Sequence, residues 1–123
     1  MDNREGEMAT SGIHFGEGVV LVRDWDVSQF IRAVAIHCEE YLKRESTAGW
    51  LLDACLAWMD DFDSSAPGVR DMELDEALAE IQRKTMFVDY LRWLKKQDAN
   101  DKYDHQSVLK TIDKVLRLMG NAD

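Results

Sequence analysis

The sequence predicts a mainly α, four- to five-helix antiparallel bundle-like domain with a small N-terminal β-hairpin. Three observations predict it. Apolar residues recur at helical spacing from Asp26 onward, two short β-branched and aromatic runs precede that point, and Pro67 is the only proline among 123 residues. Hydrophobic residues make up 46% and charged residues 32%, the composition of a chain that folds. Its length suits one core rather than two. We expect residues 1–12 to form a flexible N-terminal segment and residues 13–120 a single helical domain.

Taken in order, Ile13-His14-Phe15 and Val19-Val20-Leu21-Val22 flank Gly16-Glu17-Gly18, which predicts a hairpin with a three-residue glycine turn. A two-stranded hairpin is marginal alone, so it should lie on the helices or offer its edge to another chain. The first helix is expected from Asp26, with Val27, Phe30, Ile31, Val34, Cys38, Tyr41 and Leu42 on one stripe. Asp26 or Ser28 should cap it, and Lys43 and Arg44 suit the negative pole of its dipole. A second helix is expected after Ser46 or Thr47, burying Leu51, Cys55, Trp58, Met59 and Phe62, with Leu52 and Leu56 widening the stripe. Ser64-Ser65-Ala66-Pro67-Gly68 then breaks the pattern.

A third helix is expected from about Asp71 to Lys96, and its pattern is irregular. Leu74, Ala77, Leu78 and Ile81 share one face, Phe87, Leu91 and Leu94 another, and Met86, Tyr90 and Trp93 a third. The apolar direction therefore swings by more than a right angle around Arg83-Lys84-Thr85, so the helix breaks there or is covered on two sides. If it is covered on two sides, it is either a central helix or a helix that meets another subunit, with Met86, Tyr90 and Trp93 as the candidate subunit contact. After the polar stretch 97–101, a last helix runs from an Asp104 cap through Val108, Leu109, Ile112, Val115, Leu116 and Met119, and ends at Gly120.

Charge is unevenly distributed. The chain carries a net charge of −9, composed of −12 over residues 1–82 and +3 over residues 83–123. This sign disfavours direct binding to nucleic acid or to anionic lipid, and no run approaches the roughly 18 apolar residues of a membrane span. With no secretory leader in the opening residues, Cys38 and Cys55 read as reduced core thiols of a cytoplasmic protein.

Motifs for chemistry are sparse. The histidines are His14, His37 and His105, and His37 with Glu40 reverses the Glu-x-x-His order of a di-iron site. There is no C-x-x-C for zinc. Asp61-Phe62-Asp63-Ser64-Ser65 opens like a calcium loop, but Ala66 and Met72 stand where that loop needs glycine and glutamate. Gly16 and Gly18 fit neither phosphate-loop nor dinucleotide spacing. Lys110, Lys114 and Arg117 line one face of the last helix, a solvated face rather than a phosphate-contacting strip. The sequence thus assigns no catalytic residue, metal ligand or cofactor, and a non-enzyme is expected.

The positive feature is a dense acidic run, Asp60, Asp61, Asp63, Asp71, Glu73, Asp75 and Glu76, on either side of the Pro67 loop. The later four suit a helix N-terminus, but Asp60, Asp61 and Asp63 stand near a helix C-terminus, where acids oppose the dipole. We therefore expect a protein-binding inhibitor or adaptor that presents these acids to a basic protein partner, with an aromatic such as Trp50 or Trp93 as anchor. In its small size, acidity and expected cytosolic location the chain resembles bacterial immunity proteins and phage-encoded inhibitors, a likeness of profile that no motif carries. The alternatives are a homodimeric structural or regulatory module, joined through Met86, Tyr90 and Trp93 or the hairpin edge, and a small helical enzyme.

Overall fold

The computed structural model describes residues 9–120. Its first elements are β1 (Thr10–Phe15) and β2 (Gly18–Arg23), paired antiparallel from Thr10 opposite Arg23 to Phe15 opposite Gly18. That register leaves a two-residue loop, Gly16-Glu17, in place of the expected three-residue turn. Gly16 has φ of +59° and Glu17 does not share the positive φ, the pattern of a turn that needs glycine at its first central position. β1 also reaches further back than expected. Residues 10–12 belong to the sheet, with Ser11 buried, so the flexible segment cannot extend to residue 12; its residues 1–8 lie outside the described residues.

The mainly α expectation holds. Among the described residues four α-helices follow the hairpin: α1 (Asp24–Arg44), α2 (Gly49–Ser64) after a short 3-10 turn at Ser46–Ala48, α3 (Ile81–Lys95) and α4 (His105–Leu118). α1 begins two residues earlier than expected, and neither Asp26 nor Ser28 caps it. Arg23 occupies the cap position without a side-chain bond, Asp26 is buried, and the Ser28 hydroxyl donates to the Trp25 carbonyl at 2.7 Å. In α2, Leu51, Cys55 and Trp58 are buried, but Leu56 and Met59 are 56% and 38% exposed. α2 uses a narrow stripe against α1, and its far side faces outward, which corrects the expectation of a broad buried face. α4 matches its prediction: Asp104 Oδ1 accepts from the Ser107 amide at 3.1 Å, and Gly120, at φ +83°, ends the helix.

The third segment is where structure and sequence part. Residues 72–78 are not helical with α3. Met72–Glu73 forms a third strand, β3, parallel to β1, with Ile13 opposite Met72 and His14 opposite Glu73, and the sheet order is β2-β1-β3. The Leu74 amide continues this pairing by donating to the His14 carbonyl at 3.0 Å, and the chain then turns, with the Leu78 amide donating to the Leu74 carbonyl. Met72 and Leu74 are buried on either side of exposed Glu73, an alternation of period two hidden in a short run. The swing of the apolar direction thus marks two different elements meeting before Ile81, not a break at Arg83-Lys84-Thr85. Ile81 itself is 74% exposed. One apolar cluster joins every element and includes Ile13, Phe30, Leu51, Met72, Tyr90 and Ile112.

Candidate functional site

On α2 the residues Trp50, Asp53, Ala54, Ala57, Trp58 and Asp61 follow one another at i, i+3, i+4, i+7, i+8 and i+11, so they form one helical stripe. Facing that stripe are Glu73 and Glu76, Ala77, and Arg83 from the first turn of α3; together these residues enclose a groove of about 390 Å³. The far wall is held in place by Trp58, whose indole Nε1 donates to the Glu73 carbonyl at 3.0 Å. Trp58 is buried and sits 5.9 Å from the Phe87 ring, whereas Trp50 is half-buried, with the Arg83 guanidinium 5.2 Å from its ring centre. Alanines at 54, 57 and 77 keep the floor shallow, and Asp53, Asp61, Glu73 and Glu76 are exposed around it.

The acidic run of the sequence divides in the structure. Asp61, Glu73 and Glu76 line this groove. Asp63 lines a second, smaller depression with Ser28, Arg32 and Phe62, and Asp60 is exposed near the end of α2. Asp71 and Asp75 serve the fold instead of a helix N-terminus. Asp71 Oδ1 accepts from the Gly12 amide at 3.0 Å while its Oδ2 lies 2.9 Å from His14 Nε2, and Asp75 Oδ1 accepts from the Gly16 amide at 2.8 Å. These two carboxylates tie the hairpin to β3 and so fix the wall that carries Glu73 and Glu76. The Gly12 amide, then His14, hold the Asp71 carboxyl below its usual range.

Residues that the sequence did not single out for the site are Asp53, Ala54, Ala57, Ala77 and Arg83, and Trp58 was assigned only to the core. The α2 stripe was visible as spacing, but small and acidic residues do not register in a search for apolar faces. Trp93, the other candidate anchor, is half-buried among His37, Tyr41 and Tyr90. Of the proposed subunit-contact residues, Tyr90 is fully buried and its hydroxyl donates to the Val34 carbonyl at 2.6 Å. It faces α1 within its own chain and cannot serve such a contact. Met86 and Trp93 are half-buried.

Several other polar groups of the interior are paired within the fold. Asp24 accepts from the Ser11 hydroxyl and the Gly68 amide, while Asp26 accepts from the Ser107 hydroxyl and has Lys110 Nζ at 3.6 Å. The two buried carboxylates of α1 therefore have different partners. His37 Nε2 is 2.8 Å from the Tyr103 hydroxyl, and burial lowers its pKa against the opposing pull of Glu40. Cys38 and Cys55 are buried free thiols, and the hydrogen bond that the Cys55 thiol donates to Cys38, reinforced by burial, pushes the Cys55 pKa up. Among the described residues no set of three or more His, Cys, Asp and Glu side chains is placed to hold a metal ion, and no helix is long and apolar enough to cross a membrane. Comparison with protein-family models, with curated proteins and with solved structures returns no match to this chain.

Proposed function

We propose that this protein is a non-catalytic inhibitor or adaptor that binds a basic protein partner in the cytoplasm through the acidic, tryptophan-walled groove between α2 and the β3 segment. The observation that carries this reading is the convergence of Asp53, Asp61, Glu73 and Glu76 around Trp50 and Trp58. Carboxylates at a rim raise the rate of encounter with a basic surface, and an aromatic that loses its water on docking contributes most of the affinity. Asp60 and Asp63 extend the negative field beyond the groove, and Asp71 and Asp75 keep its far wall in register. The buried free thiols of Cys38 and Cys55 suit a reducing compartment.

Affinity capture from the native cell, run in parallel with the intact protein and with a variant carrying Asp53→Asn, Asp61→Asn, Glu73→Gln and Glu76→Gln, tests the proposal. A basic protein recovered with the first and lost with the second is expected. Recovery that is equal for both would remove the groove from the function.

A second reading rests on the sheet. β2 is an outer strand of the order β2-β1-β3, and its Val19 and Leu21 are 50% and 67% exposed, which makes a homodimer through the hairpin edge the alternative. Solution mass at micromolar concentration decides it: a dimer broken by Leu21→Lys supports this reading, and a monomer removes it.

A further inference from the structure

We propose that the groove is shaped to receive an arginine side chain of the partner, and that Arg83 occupies the aromatic part of that site in the free protein. This rests on the reading of the groove as the partner-binding surface and adds the chemistry of the group that enters it. Arg83 stands in the first turn of α3, where the positive end of the helix dipole disfavours a cation, and no acid shares that turn. Its guanidinium nevertheless lies 5.2 Å from the centre of the Trp50 ring. A planar, weakly hydrated cation placed on an indole face beside carboxylates is the arrangement that a guanidinium favours over an ammonium.

The dimensions and lining agree with that occupant. The volume of about 390 Å³ is open with Arg83 in place on its wall, and Ala54, Ala57 and Ala77 leave room for an alkyl stem. Asp61, Glu73 and Glu76 stand ready for the planar head, which can donate two parallel hydrogen bonds to one carboxylate where a lysine acts as a point charge. An incoming arginine therefore competes with Arg83 for Trp50 while adding contacts with the acids. Neighbouring Lys84 offers an internal control. It carries the same charge one residue on, but its Nζ lies 5.3 Å from the Phe15 ring instead.

The test uses the full chain, labelled with ¹⁵N and titrated at low salt with a hexa-arginine and, separately, a hexa-lysine peptide. The hexa-arginine peptide is expected to shift the indole N–H signals of Trp50 and Trp58 and to bind more tightly than hexa-lysine. Arg83→Ala should tighten hexa-arginine binding by about two- to five-fold more than Lys84→Ala does. Asp61→Asn with Glu76→Gln, at two exposed positions that leave the fold intact, should remove the preference for arginine. Equal affinity for the two peptides with both indoles unmoved overturns the arginine site while leaving the acidic surface in place. Equal effects of Arg83→Ala and Lys84→Ala overturn the placeholder role. If neither peptide binds, the arginine site falls, and the groove is then judged by the capture experiment alone.

Discussion

The Ser107 hydroxyl donates to Asp26 Oδ1 across 2.5 Å, joining the first turn of α4 to the first turn of α1 inside the protein. Both side chains are buried, at 6% and 4% exposure. A hydrogen bond to a carboxylate in such a place is stronger than a neutral one, and its loss leaves a charge short of a partner. Ser107→Ala should therefore cost about 2 kcal/mol. Removing Lys110, whose half-exposed amine is 3.6 Å from the other carboxylate oxygen, should cost less than about 1 kcal/mol. Urea unfolding midpoints of the two variants check the order.

Asp71 links the hairpin to β3, and its carboxyl is held low by the Gly12 amide and by His14. A carboxylate whose pKa is depressed on folding binds fewer protons in the native than in the unfolded state. Its contribution is complete above the unfolded value and is lost as pH falls through the lower native one. Stability should thus decline between about pH 5 and pH 2 more steeply in the native protein than in Asp71→Asn. The variant should already be the weaker of the two at neutral pH. Thermal unfolding at stepped pH reads both effects.

His37 gives a second acid-sensitive signal of different origin. Burial lowers its pKa, and Glu40 only partly opposes this. The ring is therefore neutral in the native state at a pH where the unfolded chain has begun to bind a proton. The associated stability is present above the ordinary imidazole value and is lost as pH falls through the native one. The imidazole C–H resonances of His37 should titrate below those of an unperturbed histidine. In Tyr103→Phe the hydroxyl 2.8 Å from Nε2 is absent, and the midpoint should move.

Long elements were legible in the sequence because their patterns repeat. The stripe of α1 from Val27 to Tyr41 is buried as spaced, and the Asp104 cap and Gly120 stop of α4 stand at their expected positions. β3 was not legible, because its two residues are too few to display alternation and Leu74, Ala77 and Leu78 mimic a helical face. The acidic run was visible as composition, but its division was not. Whether Asp71 and Asp75 face solvent or hold the amides of Gly12 and Gly16 depends on contacts 59 residues apart, which no local pattern encodes. Asp53 and Arg83 were missed for a related reason: the groove arises only where α2 meets a segment that the sequence assigned to a helix.

The most direct measurement is the association rate of the captured basic partner with the intact protein and with the variant neutralised at Asp53, Asp61, Glu73 and Glu76, followed as salt is raised. The groove account predicts a rate that falls with salt for the intact protein and one that is lower, on the order of tenfold at low salt, and nearly salt-independent for the variant. Equal rates and equal salt dependence for the two proteins would contradict it.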